Sequence, residues 1–479
     1  MNRTVTLPLW LVVILGVFAL WALLDRLLIP SIRWYFRRRI NRVIDHFNRR
    51  LAIRLQPFKL TKRQVLLDRL TYDPEVLEAV EAFAQEHEMP RAVVMNKVQR
   101  YAHEIVPAFN AYVYFRVGYL IARTVARLLY RVRLGSADER ALATVDPEAT
   151  VVFLMNHRSN MDYVLVSYMV ADRSALSYAV GEWARIWPLE TLIRSMGAYF
   201  VRRKSRNALY RKVLQRYVQM ATANGVTQAV YPEGGLSRDG ALRPPKLGLL
   251  DYMLRDFDPD GERDLVFIPV GLNYDRTLED RTLLRDLDPG AERKDLKSTL
   301  GTTVRFVGKQ LRLMVARRWH RFGYACVNFG APISTRAELE RLGVDLRELS
   351  RDERFARVSE LAERWMAAVG DVVPVLPVSL TATVFARSPE QALSLLELKS
   401  RVQELIQQLQ GQGAAVYVPR RDGDYAINVG LRMLTLRRLV EEEDGLYRPV
   451  PEELPVLTYY ANSIRHLLPS ATADELPAA

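Results

Sequence analysis

Cysteine is almost absent from these 479 residues: Cys326 stands alone. A single thiol excludes an internal disulfide and a cysteine-rich metal site, and it fits a reducing, cytosol-facing compartment. Histidine is nearly as scarce. The six are scattered with no pair at metal-ligand spacing, so no metal and no other cofactor is expected. No internal repeat or low-complexity tract breaks up the chain. Acidic charge is also short, 55 Asp and Glu against 68 Lys and Arg, which leaves a formal charge of +13. That excess points to an anionic partner: nucleic acid, phospholipid or a phosphorylated small molecule. No recognised nucleic-acid-binding motif accompanies it, so nucleic acid is not expected.

One stretch lacks charge altogether. Leu7 to Leu24 contains no Asp, Glu, Lys or Arg. As a helix it would span roughly 27 Å, close to the hydrocarbon thickness of a bilayer. Trp10, Trp21 and Trp34 suit the interfacial belts. Arg26, Arg33, Arg37, Arg38, Arg39 and Arg42 follow, against Arg3 alone in front. The positive-inside rule then places everything after residue 30 in the cytoplasm. A cleaved signal peptide is the rival, but the basic flank lies on the wrong side and no A-x-A-like site follows. With an anchor, the basic excess reads as attraction to anionic lipids, each nearby Lys or Arg contributing about 1 kcal/mol.

Residues 31–140 are expected to be a basic, helical, membrane-associated region with breaks near Pro57, Pro74, Pro90 and Pro107. From Tyr112 to Leu134, apolar residues interleave with Arg116, Arg123, Arg127, Arg131 and Arg133. That pattern suits an amphipathic helix lying on a membrane, or an ordinary helix with a solvated arginine face. From Asp146 the texture changes to short apolar runs between helical segments. Val151–Met155, Gln228–Tyr231, Leu265–Val270 and Ala325–Phe329 read as buried strands, which predicts an α/β domain over 141–335 with its site at the strand ends. Asp275 to about Lys309 is charged and is expected to loop out over the surface. Residues 336–479 read as mostly helical, with a short strand and turn at Gly411–Gly423.

Three runs carry chemistry. After the first strand comes Asn156-His157-Arg158-Ser159-Asn160-Met161-Asp162-Tyr163. A carboxylate five positions after a histidine can fold back onto the imidazole and fix its tautomer, freeing the other nitrogen to take a proton from a hydroxyl. The same pair could equally be a helix cap with a polar neighbour. The second run, Tyr231-Pro232-Glu233-Gly234-Gly235-Leu236-Ser237-Arg238-Asp239-Gly240, ends a strand. Its glycines allow backbone to approach a ligand closely, and Arg238 supplies a forked cation for phosphate; a plain turn would look the same. Between them, Gly197 to Val201 is a short apolar strand delivering Arg202, Arg203 and Lys204, or a solvated edge.

Taken in order, these runs and Ile268-Pro269-Val270-Gly271-Leu272-Asn273-Tyr274 resemble the four sequence blocks of the glycerolipid acyltransferase superfamily. More narrowly, they resemble the bacterial membrane-bound glycerol-3-phosphate acyltransferases. Similar pieces appear at Tyr101–Ile105, Val327–Ile333 and Tyr459–Ile464. The resemblance implies a mixed sheet flanked by helices, and transfer of a fatty acyl group from acyl-CoA or acyl carrier protein to the sn-1 hydroxyl of glycerol 3-phosphate. It implies His157 as general base and Asp162 as its orienting partner. Glu233, Gly234 and Gly235 would shape the site, and Arg202, Arg203 and Arg238 would hold the acceptor phosphate. Arg158, Ser159, Ser237 and Lys246 would complete the substrate contacts. Cys326, mid-strand among apolar residues, is not expected to act as a nucleophile.

Two positions depart from the pattern. Leu236 stands where the glycerol-3-phosphate enzymes usually carry arginine, and Asn156 ahead of His157 is similar to the lysophosphatidate acyltransferases. Lysophosphatidate or dihydroxyacetone phosphate is therefore the alternative acceptor, and a catalytically silent lipid-binding scaffold the alternative of another class.

The division at residue 30 yields a test. Deleting residues 1–30 should weaken membrane attachment without abolishing it, because 31–134 still offers cations to anionic lipid, and high salt should then detach the protein. Sedimentation with membranes at low and high salt measures this. Complete release at low salt would mean that residues 31–134 make no appreciable membrane contact.

Overall fold

The structure is a computed structural model that describes Pro8 and residues 56–171, 174–181, 189–202, 205–287, 321–469 and 476–477. The rest of the expected membrane segment, its arginine flank, Arg203 and Lys204 lie outside the described residues. Among the described residues, no helix is long and apolar enough to cross a membrane.

An eight-stranded mixed sheet forms the centre, in the order β1-β7-β6-β2-β5-β3-β4, with β8 on β6. Its strands are β1 (Arg131–Ala137), β2 (Thr150–Met155), β3 (Ser177–Gly181), β4 (Tyr199–Val201), β5 (Gln228–Val230), β6 (Leu265–Tyr274), β7 (Tyr324–Phe329) and β8 (Ile333–Ser334). β6, β2, β5, β3 and β4 run parallel, so their C-terminal ends share one edge; β7 turns antiparallel against β6. Every residue of β2 and β6 is buried, which is why these strands are continuous apolar runs rather than alternating ones: helices cover both faces.

On one face lie α4 (Tyr119–Leu129, entered through a π-helical turn at Val113–Gly118) and α5 (Met161–Val170), packed on Val151, Phe153 and Met155. On the other, α6 (Ala208–Ala223), α7 (Gly248–Leu254) and α9 (Arg351–Asp371) pack on Val152 and Leu154, with Trp365 of α9 against Phe267 at 4.1 Å. The N-terminal helices α1 (Arg63–Thr71), α2 (Pro74–Glu86) and α3 (Arg91–Ile105) join that second face. Asp73, which caps α2, accepts both 2.9 Å hydrogen bonds of a fork from Arg216 of α6.

The C-terminal region is built of α10 (Pro377–Arg387), α11 (Leu395–Gly411), α12 (Gly423–Leu436) and α13 (Leu454–Asn462) around their own apolar cluster. It also holds a three-stranded antiparallel sheet, β10 (Val440–Glu443), β11 (Leu446–Pro449) and β9 (Leu393–Ser394), which the helical reading did not contain. The strand expected at Gly411–Gly423 is only a single bridge from Val416 to Val375.

Two further expectations change. The helix expected through Leu134 stops at Leu129, and Arg131–Ala137 becomes the edge strand β1, parallel to β7. Arg131 and Arg133, periodic enough to suit a helix face, instead donate to the hydroxyls of Tyr425 and Tyr417. The segment from Asp275, expected on the surface, begins inside. Asp275, Thr277 and Asp280 are buried, and the two carboxylates and the Thr277 N–H find the partners that water would otherwise supply. Asp275 accepts from the N–H groups of Tyr324 and Val378, Tyr460 Oη accepts from the Thr277 N–H, and Asp280 accepts from Arg437 and Tyr460. The short helix α8 (Asp280–Arg285) then packs on α13, and residues 288–320 lie outside the described part.

This seam is tightest at Gly240. Its φ is +86°, and a β-carbon there would come within 1.9 Å of the Tyr459 carbonyl oxygen. Gly240→Ala should therefore lower stability by about 2–4 kcal/mol, from left-handed strain plus displacement of α13. Denaturant unfolding would show it, and a change below half a kcal/mol would mean the seam yields freely.

Candidate active site

The site lies where β2 and β5 end. Asn156 closes β2 by using its side-chain amide as a strand would: Nδ2 donates to the Leu272 carbonyl at 2.9 Å and Oδ1 accepts from the Leu272 N–H at 2.7 Å. That ties the turn at 157–160 to β6 before α5 begins at Met161. Asp162, in the first turn of α5, then reaches back. Its Oδ2 lies 2.9 Å from His157 Nδ1 and accepts from the backbone N–H groups of Arg158 and Ser159 at 2.7 and 3.0 Å. Its Oδ1 accepts from the Tyr274 hydroxyl at 2.6 Å. The carboxylate is wholly buried and His157 is 1 % exposed. An acceptor-only carboxylate facing Nδ1 fixes the proton there, leaving Nε2 with its lone pair.

The glycine loop grips the same histidine through its backbone. Glu233 Oε1 accepts from the His157 N–H at 2.8 Å, and the Ser237 N–H donates to the His157 carbonyl at 2.9 Å. The other Glu233 oxygen accepts from the Arg243 N–H at 3.3 Å. Burial pushes the Glu233 carboxyl up to about 7, against the pull of the His157 N–H and the Arg158 charge. Tyr231 stacks on the imidazole at 4.0 Å and Tyr163 meets its edge at 5.5 Å. The two tyrosines also wall a groove of about 180 Å³, lined further by Val180, Gly181, Gly234 and Lys246. Gly234 has φ +69°, and a β-carbon there would meet the Lys246 side chain at 2.6 Å. Two larger cavities, of about 570 and 670 Å³, are lined by other residues.

The expected residues thus divide. Gly234, Gly235 and Lys246 line this groove, and His157, Asp162, Ser159, Glu233 and Ser237 form one hydrogen-bonded cluster behind its Tyr231 wall. Arg202 does not: it forms a two-pronged pair with Glu104 of α3, at 2.8 and 2.6 Å, because that buried-side carboxylate lies beside it. Arg158 turns away into the C-terminal seam, over the Tyr459 ring at 4.9 Å and donating to the Gly240 carbonyl, with Nε and Nη2 unpaired. Arg238 is exposed and donates to the Asp286 carbonyl at 3.3 Å. Leu236 packs against the C-terminal apolar cluster rather than lining the groove. Cys326 is buried, and burial pushes its thiol up to about 12. Glu279, Tyr274 and Tyr231 were given no role by sequence reasoning. Tyr231 and Tyr274 sit inside the quoted runs, whereas Glu279 lies in a segment read as surface.

Comparison with known proteins follows this geometry. Residues 138–273 match the Acyltransferase family model, and residues 311–472 match that of the glycerol-3-phosphate acyltransferase C-terminal region. The chain is thus similar to the glycerol-3-phosphate acyltransferases along most of its length. It is 27% identical over 431 residues to the glycerol-3-phosphate acyltransferase of Actinobacillus succinogenes, covering 87% of this chain and 51% of that protein. With that of Shewanella loihica it shares 28% over 437 residues, 88% of this chain and 52% of the other. The chain therefore spans about half the length of the curated relatives it matches. Among solved structures, a 1-acyl-sn-glycerophosphate (LPA) acyltransferase from Thermotoga maritima matches with TM-score 0.31 and 16% identity, over 53% of this chain and 78% of that one. That likeness is too slight to carry argument.

Glu233 gives the site a pH signature. Its folded-state pKa lies above the ordinary 4.5, so the folded protein holds more protons than the unfolded chain between those values. Stability from this group is full below about 4.5 and is lost as pH rises through about 7. Glu233→Gln should flatten that decline relative to wild type when unfolding free energy is measured from pH 4 to 8. Parallel curves would show that Glu233 is ionised throughout.

Proposed function

We propose that the chain transfers a fatty acyl group from a thioester, acyl-CoA or acyl carrier protein, to the sn-1 hydroxyl of glycerol 3-phosphate, giving lysophosphatidate for phospholipid synthesis. The observation that carries this is the buried His157–Asp162 pair with Nε2 left as acceptor, packed against the Tyr163 and Tyr231 rings that wall the groove. In this reading Nε2 takes the proton as the hydroxyl oxygen bonds to the thioester carbon. Collapse of the tetrahedral intermediate breaks the carbon–sulfur bond, and the imidazolium returns the proton to the departing thiolate. Asp162 holds the tautomer and stabilises the imidazolium. The glycine-lined groove accommodates the acyl segment next to the thioester, and Lys246 and Arg238 are the cations left for anionic groups, with Arg203 a further candidate.

The reading continues to the membrane. The outer face of α4 and its π-helical entry exposes Val117, Leu120, Ile121 and Leu128 beside Arg116, Arg123 and Arg127. Apolar residues flanked by cations suit the headgroup boundary of anionic lipids on the cytoplasmic side of an inner membrane. Lysophosphatidate is the second acceptor, on the strength of Asn156 ahead of His157, since Leu236 packs into the C-terminal cluster and not the groove.

One assay tests the reaction and the acceptor. Purified protein with labelled acyl thioester is offered glycerol 3-phosphate, dihydroxyacetone phosphate and lysophosphatidate. Wild type should acylate glycerol 3-phosphate; His157→Ala should lose about 100- to 10,000-fold and Asp162→Asn at least about 100-fold, both remaining folded. Arg238→Lys should raise the acceptor KM with little effect on the thioester. Wild-type turnover in folded His157→Ala would overturn the mechanism, and activity on lysophosphatidate alone would overturn the acceptor.

A further inference from the structure

Glu279 stands outside the runs that drew attention in the sequence, yet it touches the centre of the site. Its Oε2 accepts from Ser159 Oγ at 2.7 Å, and its Oε1 accepts from the Asn160 N–H at 3.3 Å and from Asn160 Nδ2 at 3.1 Å. Ser159 Oγ already accepts from the Met161 N–H at 3.1 Å, which leaves its one proton for Glu279. All three partners donate, a set that an ionised carboxylate satisfies with its two oxygens. Ser159 and Asn160 lie between His157 and Asp162 in the chain. Their backbone is what presents the Arg158 and Ser159 N–H groups to Asp162 Oδ2.

Glu279 is itself fixed from behind. The next residue, Asp280, accepts from Arg437 Nη2 at 2.6 Å and from the Tyr460 hydroxyl at 2.5 Å, and Arg437 Nη1 donates to that hydroxyl at 2.8 Å. The C-terminal helices therefore hold the carboxylate that holds the catalytic turn. We propose that Glu279 is a positioning residue for the His157–Asp162 pair, fixing the start of α5 and adding a second negative charge to the imidazole's surroundings.

The charged and titratable groups facing Glu279 are Asp162 from α5, Tyr130 from the end of α4 and Tyr459 from α13. Those facing His157 are Asp162, Glu233, Tyr163 and Tyr231. Burial raises the pKa of Glu279, the Ser159 hydrogen bond opposes this, and the Asp162 charge adds to it. Glu279 lies close enough to Asp162 to feel its charge, and negative charge held behind the pair stabilises the imidazolium that exists midway through transfer.

The inference rests on the reading of His157 as general base, so the test has a readout of each kind. Glu279→Gln removes the charge and turns one acceptor into a donor. In the folded variant, kcat should fall about 10- to 100-fold with the acceptor KM unchanged within about twofold. The acidic limb of the pH profile of kcat/KM should move to lower pH by about half a unit or more. Glu279→Asp keeps the charge and loses reach, so kcat should fall less while the limb stays in place. Independently of turnover, NMR should show a downfield Nδ1 proton of His157, identified by its loss in His157→Gln, that shifts or broadens in Glu279→Gln. An unmoved limb with an unmoved resonance overturns the inference even if kcat falls. If Glu279→Gln does not fold, undiminished kcat in Glu279→Asp overturns it instead. A wild-type protein that shows the resonance but acylates no acceptor overturns the functional reading, and the resonance in Glu279→Gln then decides the positioning role alone.

Discussion

The top of the sheet is organised around one fully buried carboxylate. Asp162 is wholly closed off from solvent, and burying it unpaired would cost several kcal/mol. It is satisfied by donors from three directions: the imidazole of His157, two successive backbone N–H groups of the turn, and the Tyr274 hydroxyl from β6. Each demand fixes a different element. The turn must bend so that its amides converge, the helix must begin at Met161, and β6 must run on to Tyr274. The Asn156 amide paired with Leu272 sets the register that makes this possible. The histidine is oriented as a by-product of solvating its partner.

Much of this was legible in the sequence, and the reasons are specific. Val151–Met155 and Leu265–Val270 showed themselves as strands because burial on both faces leaves an unbroken apolar run. His157 and Asp162 stood out only because the other runs follow them in order, since a five-residue spacing alone serves equally well as a helix cap with a polar neighbour. Arg131–Ala137 was not legible, since an edge strand with alternating arginines has nearly the same pattern as the exposed face of a helix. Glu279 and Asp280 were hidden for another reason. A run of acidic and basic residues reads as solvated unless the partners are known, and here Arg437 and Tyr460 lie far along the chain. Arg202 and Arg158 show the same limit in reverse: the sequence displays a cation but not the carboxylate or ring that has already taken it.

The chain's positive charge is accordingly not all available to a ligand. Arg216 and Arg202 are committed to carboxylates of the N-terminal helices, and Arg437 to the C-terminal seam. Arg158 is enclosed beside Tyr459 and the Gly240 carbonyl. The cations that remain near the groove, Lys246 and Arg238, are exposed. Recognition of an anion here therefore depends on side chains whose rotamers are free until something binds, and that costs entropy on association.

The seam between Gly240 and Tyr459 also has a consequence in time. Arg158 and Tyr459, which face each other across it, are 301 residues apart. A chain synthesised from its N-terminus has made the histidine turn, the glycine loop that clamps it and β6 well before residue 459. The helix that closes behind Arg158 emerges only after nearly all the intervening residues. Until then Leu236, the Gly240 backbone and a guanidinium with unpaired nitrogens lie open to solvent and to other chains. The nascent protein thus passes through a stage in which its most conspicuous sequence features are assembled but uncovered, a stage suited to attachment by a chaperone or by the membrane surface itself.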